Sequence, residues 1–413
     1  MNDAPFHAPL PQAEAALVGT EAGYQEMIAR AWKLVPMLRA RATETEALGH
    51  VPDDIIKALV ETGLMKIVRP ARFGGYSQRP ELMYDIAAIL AHGCMSTSWV
   101  FLNLSSHDLM LAAWPIAAQH DVWDDNADAL ISSTVVFPAG KARKVEGGYM
   151  LSGRWPFSSG VHPCGWNMLG GLVAPEKEGA PPGMRFFLVP SSKYRIIDNW
   201  DVIALRGTGS NDVEMDESFI PEHHTLDYVT SIEGRAPGIA DHPDELWVKF
   251  PTYTAGFLIL GCMVGAARGA YEGFVQQARD ARDRVSGRAL AADPQYQSKI
   301  AEAGALLDMV EVFVRARWKE TQDAVLAGVK FNAANGLKLR RDCAMCSKMV
   351  VQAVDILFAL TGGSGLYESN SMQRVWRDIH GGAAHVIFRW DVHGTVFGKV
   401  ELGLPSLMPG MAV

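Results

Sequence analysis

Histidine and cysteine are the side chains best able to move protons, bind metals or attack carbon near neutral pH, and this 413-residue chain holds twelve and five of them. Cys343 and Cys346 form a C-x-x-C pair in RRDCAMCSKMVVQAVDIL. No second pair stands nearby to complete a zinc site, and the surrounding pattern is helical, so the spacing predicts two small apolar groups on one helical face. His223 and His224 are adjacent and, on a strand or loop, would point apart, which is poor metal geometry; no metal site is expected. The chain lacks G-x-G-x-x-G between a strand and a helix, the P-loop pattern, H-E-x-x-H and G-x-S-x-G. Chemistry must come from dispersed residues or from a cofactor held without a local fingerprint.

Three kinds of segment must position those residues. From 1 to 130 the pattern is helical: Ala13 to Glu46 is rich in Ala, Glu, Arg and Leu, Asp53-Asp54 start another helix, a turn at Arg72–Tyr76 interrupts, and Pro80 to Leu90 resumes. From 131 to 235 come short β-prone runs, ISSTVVF, GYMLSGRWPF, WNMLGGLV, RFFLVP and YRIIDNW, separated by Gly, Pro and Ser clusters. From 236 to 413 longer helices return, with Ile300, Leu306, Leu307, Val310, Phe313 and Val314 at three- and four-residue spacings, the stripe of a bundle core. The order predicts a mostly α fold with a central β module, the three parts packing as one unit.

The formal charge of -8 gives no field for gathering nucleic acid. The N-terminus lacks the pattern of a secretory signal, and the apolar run Phe257 to Ala267 is about half the length of a membrane span. Few, odd-numbered cysteines suit a reducing compartment, so a soluble cytoplasmic protein with no membrane partner is expected.

The helix–β–helix order, with GRWPFSSG (153–160), LRGTGSNDV (205–213) and TGGSGLYESNSMQRVWRD (361–378), resembles the acyl-CoA dehydrogenase superfamily. VPDDIIKALVETGL, FGGY, GKARKVEGGYMLSG, FSSGVHPCGW, IIDNWDV and RDIHGGAAH, in that order over some 350 residues, resemble its two-component flavin-dependent monooxygenases. That branch includes the oxygenase component of p-hydroxyphenylacetate 3-hydroxylase and the secosteroid phenol hydroxylases. The resemblance implies an N-terminal helical domain, a β-barrel or sandwich and a C-terminal four-helix bundle. It implies reduced FMN or FAD and O2 as cofactors, hydroxylation of an aromatic substrate through a C4a-hydroperoxyflavin, a separate NAD(P)H:flavin reductase, and a homotetramer. The other branch, acyl-CoA dehydrogenation, needs a carboxylate base. Its commonest pattern places one eight residues before Arg377, at Ser369, and Glu368 is one place off.

The resemblance also implies site residues. His385, eight residues after Arg377, and His107 in WVFLNLSSHDL stand at the branch's histidine positions, and Ser159 stands in its F-x-S-G turn. An imidazole near neutral pKa would trade a proton with the peroxide or with a substrate phenol, and Ser159 would bond flavin N5. Cofactor contacts are implied for Ser210, for Arg282 and Arg284 (equally readable as a solvated helix face), for Gly362 and Gly363 approaching a neighbouring subunit's flavin, and for Trp99. Asn103, His380, Phe250 and Tyr253 are candidate pocket residues. The stretch Trp247 to Phe257 has no arginine where the hydroxyphenylacetate oxygenase has one, so a neutral, fairly apolar aromatic substrate, phenol-like or indole-like, is expected.

Overall fold

The computed structural model describes residues 12–413 except 176, 178, 250–253, 283–286, 330–332, 405–406, 409–410 and 413. Among the described residues, the helices α1 (Gln12–Ala15), α2 (Glu21–Ala40), α3 (Ala42–Leu48), α4 (Asp53–Glu61), α5 (Glu81–Ala91), α6 (Met95–Ala112) and α7 (Ile116–Trp123) come first. The single helical stretch read over Ala13 to Glu46 is three helices. Gly19, at φ +64°, turns the chain after α1, Thr20 caps α2 by accepting from the Gly23 amide, and Arg41 leaves helical geometry. Aspartates 53 and 54 open α4, where acidic groups complement the helix dipole. Helix α6 is buried along most of its length, its polar Ser96, Thr97, Ser98, Ser105, His107 and Asp108 included.

The sheet comprises β1 (Ile131–Thr134), β2 (Gly140–Val145), β3 (Gly148–Ser158), β4 (Trp166–Val173), β5 (Gly183–Pro190), β6 (Arg195–Ile197), β7 (Asn211–Pro221) and β8 (Thr225–Asp227), in the order β6-β7-β3-β2-β4-β5-β8 with β1 added on β4. Pairings of β1 and β2 with β4 are parallel and the rest antiparallel. Strands β2, β7 and β8 were not among the β-prone runs. Strand β7 alternates buried Val213 and Met215 with Asp212, Glu214 and Asp216, so its acidic face masks the β pattern. One apolar cluster, with Leu151, Trp155, Phe187 and Val213, fills the sheet's interior; a second joins its other side to α6 and α7.

Helices α8 (Tyr228–Ile232), α9 (Gly238–Asp241), α10 (Ala255–Ala278), α11 (Pro294–Leu326), α12 (Ala333–Thr361), α13 (Ser371–Ala383) and α14 (Trp390–Glu401) complete the chain, apart from a short terminal pair of strands. The long α11 starts at a capping Asp293 followed by Pro294, a residue suited to a first helical turn. Two helical spans, Ala255–Ala278 and Asn335–Leu366, are long and apolar enough to cross a membrane by length and composition, more than the run 257–267 alone suggested. They pack on each other and on α11, and α10 also packs on α5 and α6. Cys343 and Cys346 are buried in α12, and burial pushes the Cys346 thiol up to about 12.

The histidine pair departs from its sequence reading. His223 and His224 do not point apart, because they lie in the 3-10 turn Glu222–His224, where a tight bend swings both rings to one side. Both Nε2 atoms stand 2.8 Å from the same Asp121 Oδ2, tying the turn after β7 to α7.

Candidate active site

Helix α6 provides one wall. Trp99, Asn103 and His107 are four residues apart, so successive side chains are offset by only about 40° around the helix and share a broad face. The Asn103 amide donates to the Trp99 carbonyl at 2.8 Å, and Trp99 is 5% exposed. His107 is buried, and its Nδ1 lies 2.6 Å from the Ile131 carbonyl at the start of β1. A carbonyl only accepts, so the neutral ring carries its proton on Nδ1 and presents a lone pair at Nε2.

Strand β3 supplies the facing residue through a defect in its ladder. Pairing with β7 shifts register once between Leu151 and Gly153 and again, as a bulge, between Trp155↔Val213 and Ser158↔Asn211, with Phe157 at φ +66°. The bulge sends Ser158 inward, bonded to Ser132 and Asn167, and carries Ser159 to α6, where Trp99 Nε1 donates to its Oγ at 3.3 Å. Gly160 completes the turn at φ +67°; a Cβ there would stand 2.8 Å from Val100 Cγ1, so glycine is required for so close an approach.

Helix α13 brings the third group. His385 follows its C-terminus, and the imidazole meets Trp99 edge-on, with centroids 5.9 Å apart at 68°. Its Nδ1 accepts from the Ile387 amide at 3.3 Å, so the neutral ring carries its proton on Nε2, opposite to His107. Burial lowers both histidines to about 4. The near-neutral imidazoles expected from the sequence are therefore corrected: desolvation disfavours the charged form, and both rings are neutral at pH 7.

Ser159 opens a chain of hydroxyls. Its Oγ is 2.8 Å from Ser210 Oγ, which is 2.6 Å from Thr208 Oγ1, which donates to the Leu205 carbonyl at 2.8 Å. Leu205, at φ +53°, is held by its amide donating to Asp378 at 2.6 Å. Burial raises the Asp378 carboxyl to about 6, while the Leu205 amide opposes that rise. Thr208 and Asp378 are not among the residues expected from the sequence, although they stand in LRGTGSNDV and at the end of TGGSGLYESNSMQRVWRD.

Other expected residues lie elsewhere. His380 Nε2 bonds Asp355 on α12 at 2.9 Å and its ring packs on Trp376, so the structure turns it to the α12–α13 face and not to Trp99. Arg282 is exposed and donates to the Gly287 carbonyl at 3.1 Å. Gly362 and Gly363 form an exposed 3-10 turn with open space at both Cβ positions. Phe250, Tyr253 and Arg284 lie outside the described residues. Glu368 sits in the exposed turn before α13, not on a helix, and Arg377 pairs with Glu46 at 2.6 Å.

An acceptor hydroxyl and a neutral imidazole that both meet the Trp99 indole fit the polar edge of a flavin ring, whose N5 gains and loses a proton with its redox state. Comparison with known proteins agrees. Residues 258–390 match the family described as acyl-CoA dehydrogenase, C-terminal domain. The oxygenase subunit HsaA, a flavin-dependent monooxygenase of Rhodococcus jostii (strain RHA1), is 35% identical over 374 residues, 90% of this chain and 97% of the relative. The oxygenase component of the FADH(2)-dependent resorcinol hydroxylase of Rhizobium sp. (strain MTP-10005) is 35% identical over 419 residues, covering 98% of each chain. Among solved structures, 3-HSA hydroxylase from Rhodococcus sp. RHA1 superposes with a TM-score of 0.86 at 34% identity, covering 94% of this chain and 99% of that one. XiaF from Streptomyces sp., in complex with FADH2 and glycerol, superposes with the same score at 25% identity, covering 97% and 99%. The chain belongs to the oxygenase components of the two-component flavin-dependent monooxygenases, enzymes of the acyl-CoA dehydrogenase fold that use reduced flavin and O2.

Proposed function

We propose that this oxygenase hydroxylates a neutral, fairly apolar aromatic compound, phenol-like or indole-like, in the space between α6, the β3 bulge and His385. The bound reduced flavin supplies the activated oxygen. The observation that carries this reading is the pair of neutral imidazoles with opposite proton arrangements. His107 Nε2 offers a lone pair to a substrate hydroxyl, taking its proton as the ring becomes nucleophilic, while His385 Nε2 offers a proton to the oxygen being reduced. This assigns proton acceptance to His107 and proton donation to His385. Ser159 and Trp99 hold the flavin edge, with Ser210 behind them.

No lysine or arginine is bonded to Trp99, Asn103, His107, Ser159 or His385 among the described residues, and the histidines are neutral, so a buried carboxylate would stay uncompensated. The relatives named for resorcinol, p-hydroxyphenylacetate and indole-3-acetate support an aromatic ring as the common element. Five buried free cysteines support a reducing, cytoplasmic setting, and the net charge of -8 supports the absence of nucleic-acid partners. Reducing equivalents then come from a separate NAD(P)H:flavin reductase, and the chain works as a homotetramer.

The test supplies reduced FMN or FAD anaerobically, admits O2 with each of a panel of phenols, indole and their carboxylated analogues, and measures hydroxylated product against H2O2. Product per reduced flavin should be highest for neutral rings. Hydroxylation confined to the carboxylated analogues overturns the substrate reading.

A further inference from the structure

Hydrogen-bond arithmetic along the hydroxyl chain assigns a direction to every proton in it. The Leu205 carbonyl cannot donate, so the single Thr208 hydroxyl proton points at it across 2.8 Å. Thr208 can then only accept from Ser210 across their 2.6 Å contact, which uses the single Ser210 hydroxyl proton. Ser210 can in turn only accept, so the Ser159 proton points at Ser210 across 2.8 Å. On its other side Ser159 already accepts from the Trp99 N–H at 3.3 Å. What Ser159 has left for the pocket is one lone pair and no proton.

The carbonyl that sets this polarity is itself fixed. The Leu205 residue is held at φ +53° with its amide on Asp378, and its carbonyl also accepts from the Thr208 amide and from Trp200 Nε1 at 3.1 Å. Thr208 is 1% and Ser210 4% exposed, so water has little access to reset the chain.

A flavin changes sign at N5 with its redox state: the reduced ring carries N5–H, a donor, and the oxidised ring carries a bare N5, an acceptor. From these facts we infer that Thr208 and Ser210 are positioning residues that make Ser159 an obligate acceptor, so that the site selects reduced over oxidised flavin. This rests on the reading that Ser159 faces N5. The reduced ring donates to Ser159, whereas the oxidised ring sets lone pair against lone pair. An oxygenase drawing on a mixed pool of free flavin would thereby take the reduced form and let the oxidised form leave.

The experiment compares dissociation constants for oxidised flavin, by fluorescence quenching, and reduced flavin, by anaerobic titration, in the parent and in single variants. In Ser210→Ala the Ser159 proton loses its acceptor and becomes free to turn to N5. In Thr208→Val the Ser210 proton is released to Ser159, which frees the Ser159 proton two residues away from any flavin contact. Both should tighten oxidised-flavin binding and lower the oxidised-to-reduced ratio of dissociation constants by on the order of tenfold, about one hydrogen bond's difference. Thr208→Ser keeps the donor and should keep the parental ratio, which separates polarity from packing. If Ser210→Ala and Thr208→Val, folded by circular dichroism, keep the parental ratio while Ser159→Ala weakens reduced flavin, the polarity inference is wrong and the flavin-facing role of Ser159 stands. If Ser159→Ala alters neither constant, the reading on which it rests has failed.

Discussion

His107 and His385 are the same side chain left with opposite tautomers by one backbone contact each. The Ile131 carbonyl draws the His107 proton to Nδ1, and the Ile387 amide drives the His385 proton to Nε2. His107→Gln should therefore still bind reduced flavin but lose hydroxylation by on the order of 10²- to 10⁴-fold, the usual cost of a lost general base. His385→Ala should divert reduced flavin to H2O2. Equal product yield in either variant would reject the corresponding role. Because burial lowers His107 to about 4, protonation of this group should leave turnover flat from pH 6 to 8 and cut it only as pH falls toward 4. The same depression links to stability. The unfolded imidazole, near 6.5, takes up a proton before the folded one does, so this contribution is whole above pH 6.5 and is lost as pH falls to about 4. Its size is on the order of 3 kcal/mol, and urea unfolding of His107→Gln should depend less steeply on pH over that interval than the parent does.

Elements meet at this site through irregularities. Strand β3 would run past α6 if its pairing with β7 stayed in register; the bulge and the left-handed Phe157 and Gly160 bend it so that Ser159 reaches Trp99. A buried ion pair, Arg69 with Asp108 at 2.7 Å, sets the other end, since Arg69 also donates to the carbonyls of Ala127 and Ala129 and so locks the chain entering β1 against α6. Gly160→Ala meets both the positive φ and the 2.8 Å approach to Val100. It should destabilise the protein by about 1–3 kcal/mol and push Ser159 off Trp99. Val100→Ala added to it should recover the steric part and leave the backbone part. A Gly160→Ala protein with unchanged melting temperature and unchanged flavin affinity would show that the turn does not position Ser159.

At the scale of the molecule, the C-terminal helices leave apolar side chains uncovered. Leu366 is 76% exposed, Tyr367 66% and Val386 65%, all bordering the Gly362-Gly363 turn or His385, and Val312 on α11 is 71% exposed. Isolated exposed apolar residues are ordinary, but several on neighbouring segments suit a self-complementary interface. Light scattering at micromolar concentration should report a tetramer, and Leu366→Asp should shift it toward smaller species while weakening flavin affinity. A monomeric parent protein contradicts this assembly.

Much of this was legible before any coordinates. An acidic start placed α4, the resumed helical pattern placed α5, apolar spacing placed the stripe of α11, β-prone runs placed β1, β3, β4, β5 and β6, and shared motifs over most of the chain pointed to the monooxygenase branch, because each signal is local or linear. Strand β7 escaped because its acidic face hides an alternation that only burial reveals. The sequence carries no information about Asp355 and Trp376, which hold the His380 ring at the α12–α13 face. The resemblance to the monooxygenase branch marked His107, His385 and Ser159, whose residue types can carry protons. Which nitrogen holds the proton, how far burial lowers the pKa, and that Ser159 can only accept were decided by tertiary structure. Each depends on a carbonyl, an amide or a hydroxyl delivered by a different element, and such a partner is fixed by packing and not by sequence separation.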